Sequence, residues 1–385
     1  MRVGIMGGTF DPIHEGHIAV AVHALRELKL DRVMLLPAGD PPHKENPTAK
    51  ADRLEMTRLA AQANEGLFPC AIEIYREGTT YTVDTLLWLR RNNPDTEWFY
   101  LVGADTLDVL DTWRNFGEVA KLCVFAVSGR AEEACSAQKM RELSETYGAR
   151  FAVLHFAGPD ISSTQVRALT AEGRPIRGLV SSAVEAYIRE HGLYLCPMTE
   201  KRLLETLRST ISEHRFMHTL GVADTAERLA ARFGVSPAKA RLAGLLHDCA
   251  KSMPTDEMRR LIRENVPDAD ADELNSEALL HAPAGSVVAA RDYGIRDPEI
   301  LSAIRKHTLG DSRMTPLEAL IYVSDFIEPN RPAFKGIDEV RSLAETDIYA
   351  AMRACAGYTI DYVLRKGGTP HPRSYDVLQT VKEEE

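Results

Sequence analysis

A glycine-rich string with two histidines follows the first apolar segment of the chain. Residues 7–17 read GGTFDPIHEGH and lead into an amphipathic helical pattern. The paired glycines allow a tight turn and a close approach to a ligand, because they have no Cβ atom. The helix N-terminus that follows offers unpaired N–H groups and a positive dipole end, and His14 and His17 add hydrogen-bond donors. This combination predicts a phosphate site, although the same residues could form an ordinary turn with two histidines at a helix start.

A second set of candidate residues, histidines and aspartates, lies in the second half of the chain. Five separate apolar segments carry them, and an adjacent His-Asp pair ends one of these segments. Aspartate is rarely buried unless it is paired or bound to a metal, and imidazole with carboxylate suits zinc, iron or manganese better than calcium. A lone histidine on an apolar helix is usually only a packed core residue, which is the expectation for His214 and His371. The candidate metal ligands are His218, His247, Asp248, His281, His307 and Asp325.

The elements that must position the first set alternate between strand and helix. Short apolar segments at 2–6, 32–37, 70–74, 97–102, 122–127 and 151–154 are predicted strands, with amphipathic helices at 16–29, 51–64 and 83–92 between them. Such alternation predicts a parallel sheet covered by helices on both faces, a doubly wound, Rossmann-like α/β domain. Ligands bind such sheets at the carboxyl ends of the strands, where the strand order reverses.

After residue 197 the strand patterns stop and the chain is predicted to be all-α. Predicted helices span 201–213, 219–233, 238–248, 255–265, 283–293, 298–306, 316–327 and 348–365. Several of them begin near proline or a capping residue, as helices commonly do. The predicted domains are therefore 1–196, α/β, and 197–385, all-α.

Composition limits the partners of the protein. The chain has 385 residues, a net charge of −10 and six cysteines without a C-x-x-C pair. Its length favours two domains, and its acidic balance disfavours nucleic acid, which normally binds a broad cationic face. The apolar runs are too short to span a membrane, and no cleavable signal segment precedes the glycine turn. Scattered cysteines are typical of a reducing compartment and predict a cytoplasmic protein, while a homo-oligomer stays open.

The first half resembles the H-x-G-H nucleotidyltransferase family, specifically its nicotinate-nucleotide adenylyltransferase branch. The resemblance lies in GGTFDPIHEGH at 7–17, ISSTQVR at 161–167, PPHK at 41–44, YTVDTL at 81–86 and GADTL at 103–107. A related branch that acts on phosphopantetheine lacks the PPHK loop. The resemblance implies that ATP and nicotinate mononucleotide bind to Gly7, Gly8, Thr9, Phe10, His14, His17, Lys44, Thr85, Gly103, Asp105, Trp113, Ile161, Ser162, Ser163, Thr164 and Arg167.

That family transfers AMP from ATP, with Mg²⁺, onto nicotinate mononucleotide and forms deamido-NAD and pyrophosphate without a covalent enzyme intermediate. Catalysis then consists of positioning and charge stabilisation. By resemblance, the ATP phosphates contact His14, His17, Ser163 and Arg167, with His14, His17 and Arg167 as the catalytic residues. Asp105 would accept from the adenosine ribose, Thr85 and Trp113 would lie against the nicotinate ring, and Lys44 would reach a phosphate. A preference for the acid over the amide of the pyridine ring stays open.

The second half resembles the HD phosphohydrolases, with the order H…HD…D. His218, His247-Asp248 and Asp325 supply that order, and His281 and His307 resemble the additional ligands of two-metal members, with Asp248 bridging. The similarity is greatest to bacterial HD hydrolases that split diadenosine tetraphosphate symmetrically into two ADP.

That resemblance implies two metal ions, iron by family, which lower the pKa of a bound water and clamp the attacked phosphate. Asp248 and Lys251 are the implied catalytic residues, and Lys251 and Arg331 would neutralise the polyphosphate. Ligand types alone do not separate iron from manganese. Two alternatives remain for this half: hydrolysis of another nucleotide, such as a cyclic dinucleotide, and a regulatory binding module with a vestigial metal site.

Overall fold

The computed structural model describes residues 1–40, 47–128, 134–156, 158–332 and 336–380. The chain divides into two compact units. The first comprises Met1–Ala168 and Pro175–Tyr187, and the second comprises Leu169–Arg174 and Ile188–Glu385. The sequence-based boundary between residues 196 and 197 stays a prediction.

A six-stranded parallel sheet forms the centre of the first unit, which confirms the predicted α/β class. Its spatial order is β3-β2-β1-β4-β5-β6, so the order reverses between β1 and β4. The central strands are buried along nearly their whole length, as expected for a sheet covered on both faces. The strands are β1 Arg2–Gly8, β2 Arg32–Pro37, β3 Leu67–Pro69, β4 Glu97–Gly103, β5 Val124–Ser128 and β6 Arg150–Val153.

The third strand lies earlier than the sequence predicts. Leu67–Pro69 pairs with β2, with Leu67 opposite Val33, whereas the predicted strand at 70–74 forms a turn. The backbone there bonds locally, because Tyr75 N donates to Ala71 O and Arg76 N donates to Glu73 O. The apolar residues at 70–74 therefore pack from a turn, and their hydrophobicity alone did not distinguish the two structures.

Eight helices and a 3-10 turn surround the sheet in the described part of this half. In α1, the residues buried against the sheet include Ile18, Ala21 and Ala24, which share one helical face. The helices are α1 Glu15–Glu27, α2 Lys50–Gln62, α3 Thr82–Asn92, α4 Ala104–Leu107, α5 Phe116–Leu122, α6 Ala134–Tyr147, α7 Ser163–Ala171 and α8 Ser182–Glu190, with the 3-10 turn at Leu110–Thr112.

The second unit is helical throughout its described residues, as predicted. Side-chain caps begin many of its helices; Thr315, for example, accepts from Glu318 N in a capping box ahead of Pro316. The helices are α9 Glu200–Thr210, α10 Glu213–Ala230, α11 Pro237–Leu246, α12 Thr255–Asn265, α13 Ala271–Asn275, α14 His281–Asp292, α15 Pro298–Lys306, α16 Pro316–Ile327, α17 Ile337–Ala344, α18 Ile348–Arg365 and α19 Pro372–Val377, with a 3-10 turn at Ala231–Phe233.

Helix α10 begins six residues before its predicted start. Ser212 caps it by accepting from Arg215 N. Only Ile211 and Ser212 therefore separate the end of α9 from the start of α10. His218 consequently lies within the helix, and α10 packs against α11 and α16, which carry or adjoin other candidate ligands. Among the described residues, no helix combines the length and apolar character needed to cross a membrane.

Candidate active sites

The glycine string lies at the carboxyl end of β1, beside the reversal of the strand order. Gly7 and Gly8 are the last residues of β1, and α1 begins at Glu15. A Cβ atom on Gly7 would lie 2.3 Å from the hydroxyl oxygen of Tyr100 on the adjacent strand β4, so this close approach requires glycine. The position is the one at which doubly wound sheets bind ligands.

His14 and His17 stack on each other at the start of α1. Their ring centroids are 3.7 Å apart at an interplanar angle of 28°, and the edge of Phe10 packs on His17 at 5.0 Å. The backbone N–H of His14 donates to Nδ1 of His17 at 3.2 Å. Because this nitrogen accepts, the proton of a neutral His17 is on Nε2, which makes that atom a hydrogen-bond donor.

Both imidazoles are neutral at pH 7 in the ligand-free protein. Burial lowers the pKa of His14 to about 4, and burial together with the neighbouring His14 lowers the pKa of His17 to about 3. Nδ1 of His14 is buried and has no hydrogen-bond partner among the described residues. A buried polar atom without a partner is costly, and a ligand that bonds to it is consistent with the phosphate site that the sequence predicts.

The structure brings the second sequence signature against the first. Ser163 Oγ, in the first turn of α7, donates to Pro12 O at 2.9 Å, and Arg167 Nη1 donates to Asp11 O at 2.7 Å. Arg167 also donates from Nη2 to Thr164 Oγ1 at 3.2 Å. Ser163 and Arg167 thus adjoin the loop that carries the two histidines, across about 150 residues of sequence. The remaining members of this signature, Ile161 and Ser162, precede α7.

Arg53 holds the loops of the first site together, and the sequence analysis did not single it out. Its guanidinium is buried on α2 and donates to four backbone carbonyls. Nη1 donates to Thr9 O and Ala38 O at 2.8 and 2.6 Å, Nη2 to Gly39 O at 2.8 Å, and Nε to Thr48 O at 2.9 Å. The feature of the sequence that could have indicated this role is that Arg53 stands among the inward-facing residues of an amphipathic helix.

The residues assigned to the nicotinate ring lie in different surroundings. Thr85 is buried, and its hydroxyl donates to Glu73 at 2.8 Å while it accepts from Arg76 at 3.0 Å. Burial raises the pKa of Glu73. Trp113 is partly buried and packs against Tyr100 in a T-shaped arrangement at a centroid distance of 5.5 Å. The Thr85 hydroxyl therefore already has protein partners.

Two further assignments concern Asp105 with Gly103, and Lys44. Gly103 ends β4, and Asp105 is exposed in the first turn of α4, near the strand-order reversal. Lys44 and the rest of the PPHK loop, residues 41–44, lie outside the described residues.

The six candidate metal ligands of the second unit come together around Asp248. His218 and Asp325 lie on α10 and α16, His247 and Asp248 follow α11, His281 begins α14, and His307 follows α15. They form three overlapping groups in which all ligand atoms lie within 4.8 Å of one another: His218 with His247 and Asp248, His247 with His307 and Asp325, and Asp248 with His281 and His307.

Asp248 is central because both of its oxygens face histidines. Oδ1 lies 3.4 Å from His281 Nε2 and 3.6 Å from His307 Nε2, and Oδ2 lies 3.8 Å from His247 Nε2. A carboxylate in this position can bridge two ions. Although burial opposes ionisation, the adjacent His247, the hydrogen bond from His307 and the charge of Lys251 hold the pKa of Asp248 well below its usual range.

The helix ends fix the tautomers of two ligand histidines. Nδ1 of His247 lies 2.7 Å from Gly244 O, and Nδ1 of His307 lies 2.7 Å from Ile304 O. Both carbonyls belong to the last turn of a helix, where they lack an intrahelical partner. Because a carbonyl can only accept, these Nδ1 atoms carry protons and the Nε2 atoms present lone pairs to the shared centre.

The residues present fit a pair of divalent metal ions. Nε2 of His247 is buried without a hydrogen-bond partner in the described part of the chain, at the point where the ligand groups converge. Burial also lowers the pKa of His247 and brings that of His281 to about 3, so both are neutral, as metal ligands must be. Nitrogen and carboxylate oxygen atoms in this number suit iron, manganese or zinc.

Two cations adjoin the cluster. Lys251 Nζ lies 3.3 Å from Asp248 Oδ1 and 2.9 Å from His281 Nε2. Arg331, expected to neutralise a polyphosphate, bonds Asp325, with Nη2 2.9 Å from Oδ1 and Nε 2.8 Å from the backbone oxygen. Its side chain remains 38% exposed.

The sequence motifs indicated no role for two neighbours of the candidate ligands. Thr308 Oγ1 lies 3.1 Å from His281 Nε2 and 3.2 Å from His307 Nε2. Glu328 Oε1 lies 3.0 Å from Nδ1 of His218. Both residues stand within three positions of a candidate ligand, but a sequence does not show which of such neighbours turn toward the metal centre.

The two histidines set aside as packed residues lie outside the three ligand groups. His371 is buried and pairs with Asp270 at 3.1 Å, as expected of a satisfied core residue. His214 is exposed in the first turn of α10, so the expectation of a buried residue is wrong there. Position 214 lies on the exposed side of the first turn of α10, whereas the buried positions of that part of the helix are Phe216 and Thr219.

Comparison with known proteins divides the chain in the same way. Residues 5–169 match the family described as Cytidylyltransferase-like, and residues 215–330 match the HD domain. A probable nicotinate-nucleotide adenylyltransferase of Synechococcus sp. (strain JA-3-3Ab) is 42% identical over 198 residues, which cover 51% of this chain and 96% of that protein.

Two other relatives cover the second half. The symmetrical bis(5'-nucleosyl)-tetraphosphatase of Bacillus subtilis (strain 168) is 44% identical over 179 residues, or 46% of this chain and 95% of that protein. A Mycoplasma genitalium protein named probable nicotinate-nucleotide adenylyltransferase/Ap4A hydrolase is 26% identical over 91% of this chain and 95% of its own length. The chain therefore belongs to the nicotinate-nucleotide adenylyltransferase family through its first half and to the HD-domain symmetrical bis(5'-nucleosyl)-tetraphosphatase family through its second half.

Proposed function

We propose that this chain is a bifunctional enzyme of nucleotide metabolism. Its first unit transfers AMP from ATP to nicotinate mononucleotide, and its second unit hydrolyses diadenosine tetraphosphate to two ADP. The observation that carries the first activity is the contact of Ser163 and Arg167 with the loop between β1 and α1, directly before His14 and His17. The observation that carries the second is the convergence of six ligand residues on Asp248.

In the transferase reaction, a phosphate oxygen of nicotinate mononucleotide attacks the α-phosphorus of ATP. A new P–O bond forms, the α–β phosphoanhydride bond breaks, and pyrophosphate leaves with the electron pair, which yields deamido-NAD. ATP enters with its own Mg²⁺ as part of the substrate. The protein needs no nucleophile for this displacement, and its contribution is alignment and stabilisation of charge on the phosphates.

The paired histidines suit that task. We assign His17 Nε2–H as a donor to the ATP phosphates, since Nδ1 of the same ring already accepts from the His14 backbone. We assign Ser163 and Arg167 to the same phosphates at the start of α7, where helix N–H groups also favour an anion. Asp105 is assigned to the adenosine ribose, Trp113 and the Thr85 segment to the nicotinate ring, and Lys44 to a phosphate.

In the hydrolase reaction, water adds to a phosphorus atom of the tetraphosphate and the bond at its centre breaks, which gives two ADP. We propose that His218, His247, Asp248, His281, His307 and Asp325 hold two metal ions there, and that these ions are iron, by family resemblance. When bound, such ions supply Lewis acidity and lower the pKa of a coordinated water. Lys251, 3.3 Å from Asp248, supplies a positive charge for the polyphosphate beside them.

We also propose a cytoplasmic location. The described cysteines Cys70, Cys123, Cys196, Cys249 and Cys355 are free thiols. Free thiols suit a reducing compartment, which is also where ATP and pyridine nucleotides are abundant.

The test uses the purified full-length chain after its metal content has been measured. One sample receives nicotinate mononucleotide with MgATP, and a second receives diadenosine tetraphosphate; products are separated by chromatography. The proposal expects deamido-NAD with pyrophosphate in the first and ADP alone in the second. AMP with ATP in the second sample would contradict symmetrical cleavage. An inert, metal-free second unit would favour the regulatory module instead.

A further inference from the structure

Glu328 is a buried carboxylate directly behind one of the metal ligands. It follows the last residue of α16, and its side chain is only 1% exposed. Oε1 lies 3.0 Å from Nδ1 of His218, and Oε2 accepts from Asn330 N at 2.6 Å. The carboxylate is therefore fixed from both sides, with one oxygen directed at the imidazole.

A carboxylate in this position determines how His218 can bind a metal. Since the carboxylate accepts, the proton of Nδ1 is retained there, and Nε2 is the atom left to coordinate. Nε2 points into the cluster, 3.0 Å from Asp325 Oδ1. His247 and His307 obtain the same tautomer from neutral backbone carbonyls. His218 differs from them because its partner is a carboxylate, which increases the electron density that the ring donates.

The contact between Glu328 and His218 depends on close packing at Gly221. A Cβ atom on Gly221, one turn after His218 on α10, would lie 2.4 Å from Oε2 of Glu328. The absence of a side chain at Gly221 thus allows the carboxylate to reach His218. An ordinary helix position would favour alanine over glycine, so this glycine is costly for the helix itself.

We propose that Glu328 is a positioning residue that raises the affinity of one metal ion over the other. The ion concerned would be the one at the ligand group that contains His218; the group of Asp248, His281 and His307 does not contain it. The inference deepens the proposed hydrolase function and rests on its two-metal centre. Outer partners of this kind typically contribute about 10–100-fold in metal affinity.

The test is a titration of the metal-free, full-length chain with Mn²⁺, in which electron paramagnetic resonance measures the unbound ion. The wild-type chain is expected to bind two ions. Glu328→Ala is expected to lower the affinity of one ion about 10–100-fold and to leave the other unchanged. Glu328→Gln, which keeps an oxygen acceptor without the charge, is expected to give an intermediate loss.

Two further variants separate positioning from general destabilisation. Glu318→Gln, a buried carboxylate near the opposite end of α16 that pairs with Lys306 at 3.0 Å, is expected to lower stability and keep both Mn²⁺ affinities. Gly221→Ala is expected to weaken the same single ion as Glu328→Ala, and the double variant to be no weaker than Glu328→Ala alone.

Two results would overturn the inference, and they differ in what else they affect. A folded Glu328→Ala chain that binds both ions with wild-type affinity would refute the role of Glu328 while the metal centre stands. A wild-type chain that binds fewer than two Mn²⁺ ions would refute the two-metal centre of the proposed function, and the inference with it.

Discussion

Gly16 gives the paired histidines of the transferase site their room. A Cβ atom at this position would lie 2.9 Å from Nδ1 of His14, on the ring that stacks against His17. Gly16→Ala is therefore expected to displace the His14 ring and to lower the rate of deamido-NAD synthesis at least about 10-fold, through lost alignment of the phosphates. Steady-state assays of both reactions measure this, with ADP formation from diadenosine tetraphosphate unchanged.

The matched control is Gly117→Ala on α5, where a Cβ atom would meet only Tyr147 at an ordinary 3.5 Å. It adds the same methyl group to the same unit and should leave both activities within about twofold of the wild type. Equal losses in the two variants would mean that the Gly16 effect reflects general strain.

The neutral histidines also predict how stability depends on pH. The folded pKa values of His14 and His17, about 4 and 3, lie below the usual 6.5, so the unfolded chain takes up protons that the folded chain does not. Their contribution to the free energy of unfolding is complete above pH 6.5. It is lost as the pH falls toward 4 for His14 and toward 3 for His17. Each histidine should therefore lower the free energy of unfolding of the ligand-free protein by on the order of 1–2 kcal/mol when the pH falls from 7 to 5.

Urea unfolding of the wild type and of His17→Gln at the two pH values measures this contribution. The difference in unfolding free energy between the two proteins should shift in favour of the variant at pH 5, because glutamine does not titrate. A difference that stays constant with pH would show that His17 has the same pKa in the folded and unfolded chain.

At the scale of elements, Arg53 joins the loops that follow β1 and β2. Lysine cannot reproduce its fork of donors to four carbonyls, so Arg53→Lys would leave some of those buried groups unsatisfied. We expect a loss of about 2–3 kcal/mol in unfolding free energy and a raised KM for ATP. Thermal unfolding and initial rates measure the two effects.

Arg58→Lys supplies the comparison on the same helix. Arg58 pairs with Glu55 at the surface, and its side chain is 42% exposed. Surface pairs contribute about 0–1 kcal/mol, so this variant should resemble the wild type. If Arg53→Lys were as stable as Arg58→Lys, the clamp on the two loops would have no energetic role.

The sequence was sufficient for elements whose patterns are local. The helices at 255–265, 298–306, 316–327 and 348–365 agree with the structure to the residue. Their apolar periodicity is local, and the last three also begin at a side-chain N-cap. The third strand was misplaced because Leu67–Pro69 is defined by its pairing with β2, a non-local contact. Non-local contacts also limit what the sequence indicates about the sites. The motifs contain the candidate ligands, but the roles of Arg53 and Glu328 depend on contacts between distant segments.

At the scale of the whole molecule, the two units should respond differently to loss of metal. In the proposed function, the hydrolase would need resident ions at the buried histidines, whereas the transferase would receive Mg²⁺ with ATP. Chelation followed by removal of the chelator and addition of Mg²⁺ should therefore abolish ADP formation and spare deamido-NAD synthesis. Added Fe²⁺ or Mn²⁺ should restore the hydrolase. Equal loss of both activities after Mg²⁺ addition would contradict this division.

The central claim is that one chain carries two separate active sites. The most direct test uses one variant in each site and measures both activities of each variant. His17→Ala would remove the proposed donor of the transferase site, and Asp248→Ala would remove the residue shared by two of the candidate metal groups. We predict that His17→Ala lowers deamido-NAD synthesis at least ~10²-fold with ADP formation unchanged, and that Asp248→Ala abolishes ADP formation and metal binding with deamido-NAD synthesis unchanged. If either variant, still folded by circular dichroism, lost both activities, the two-site account would be contradicted.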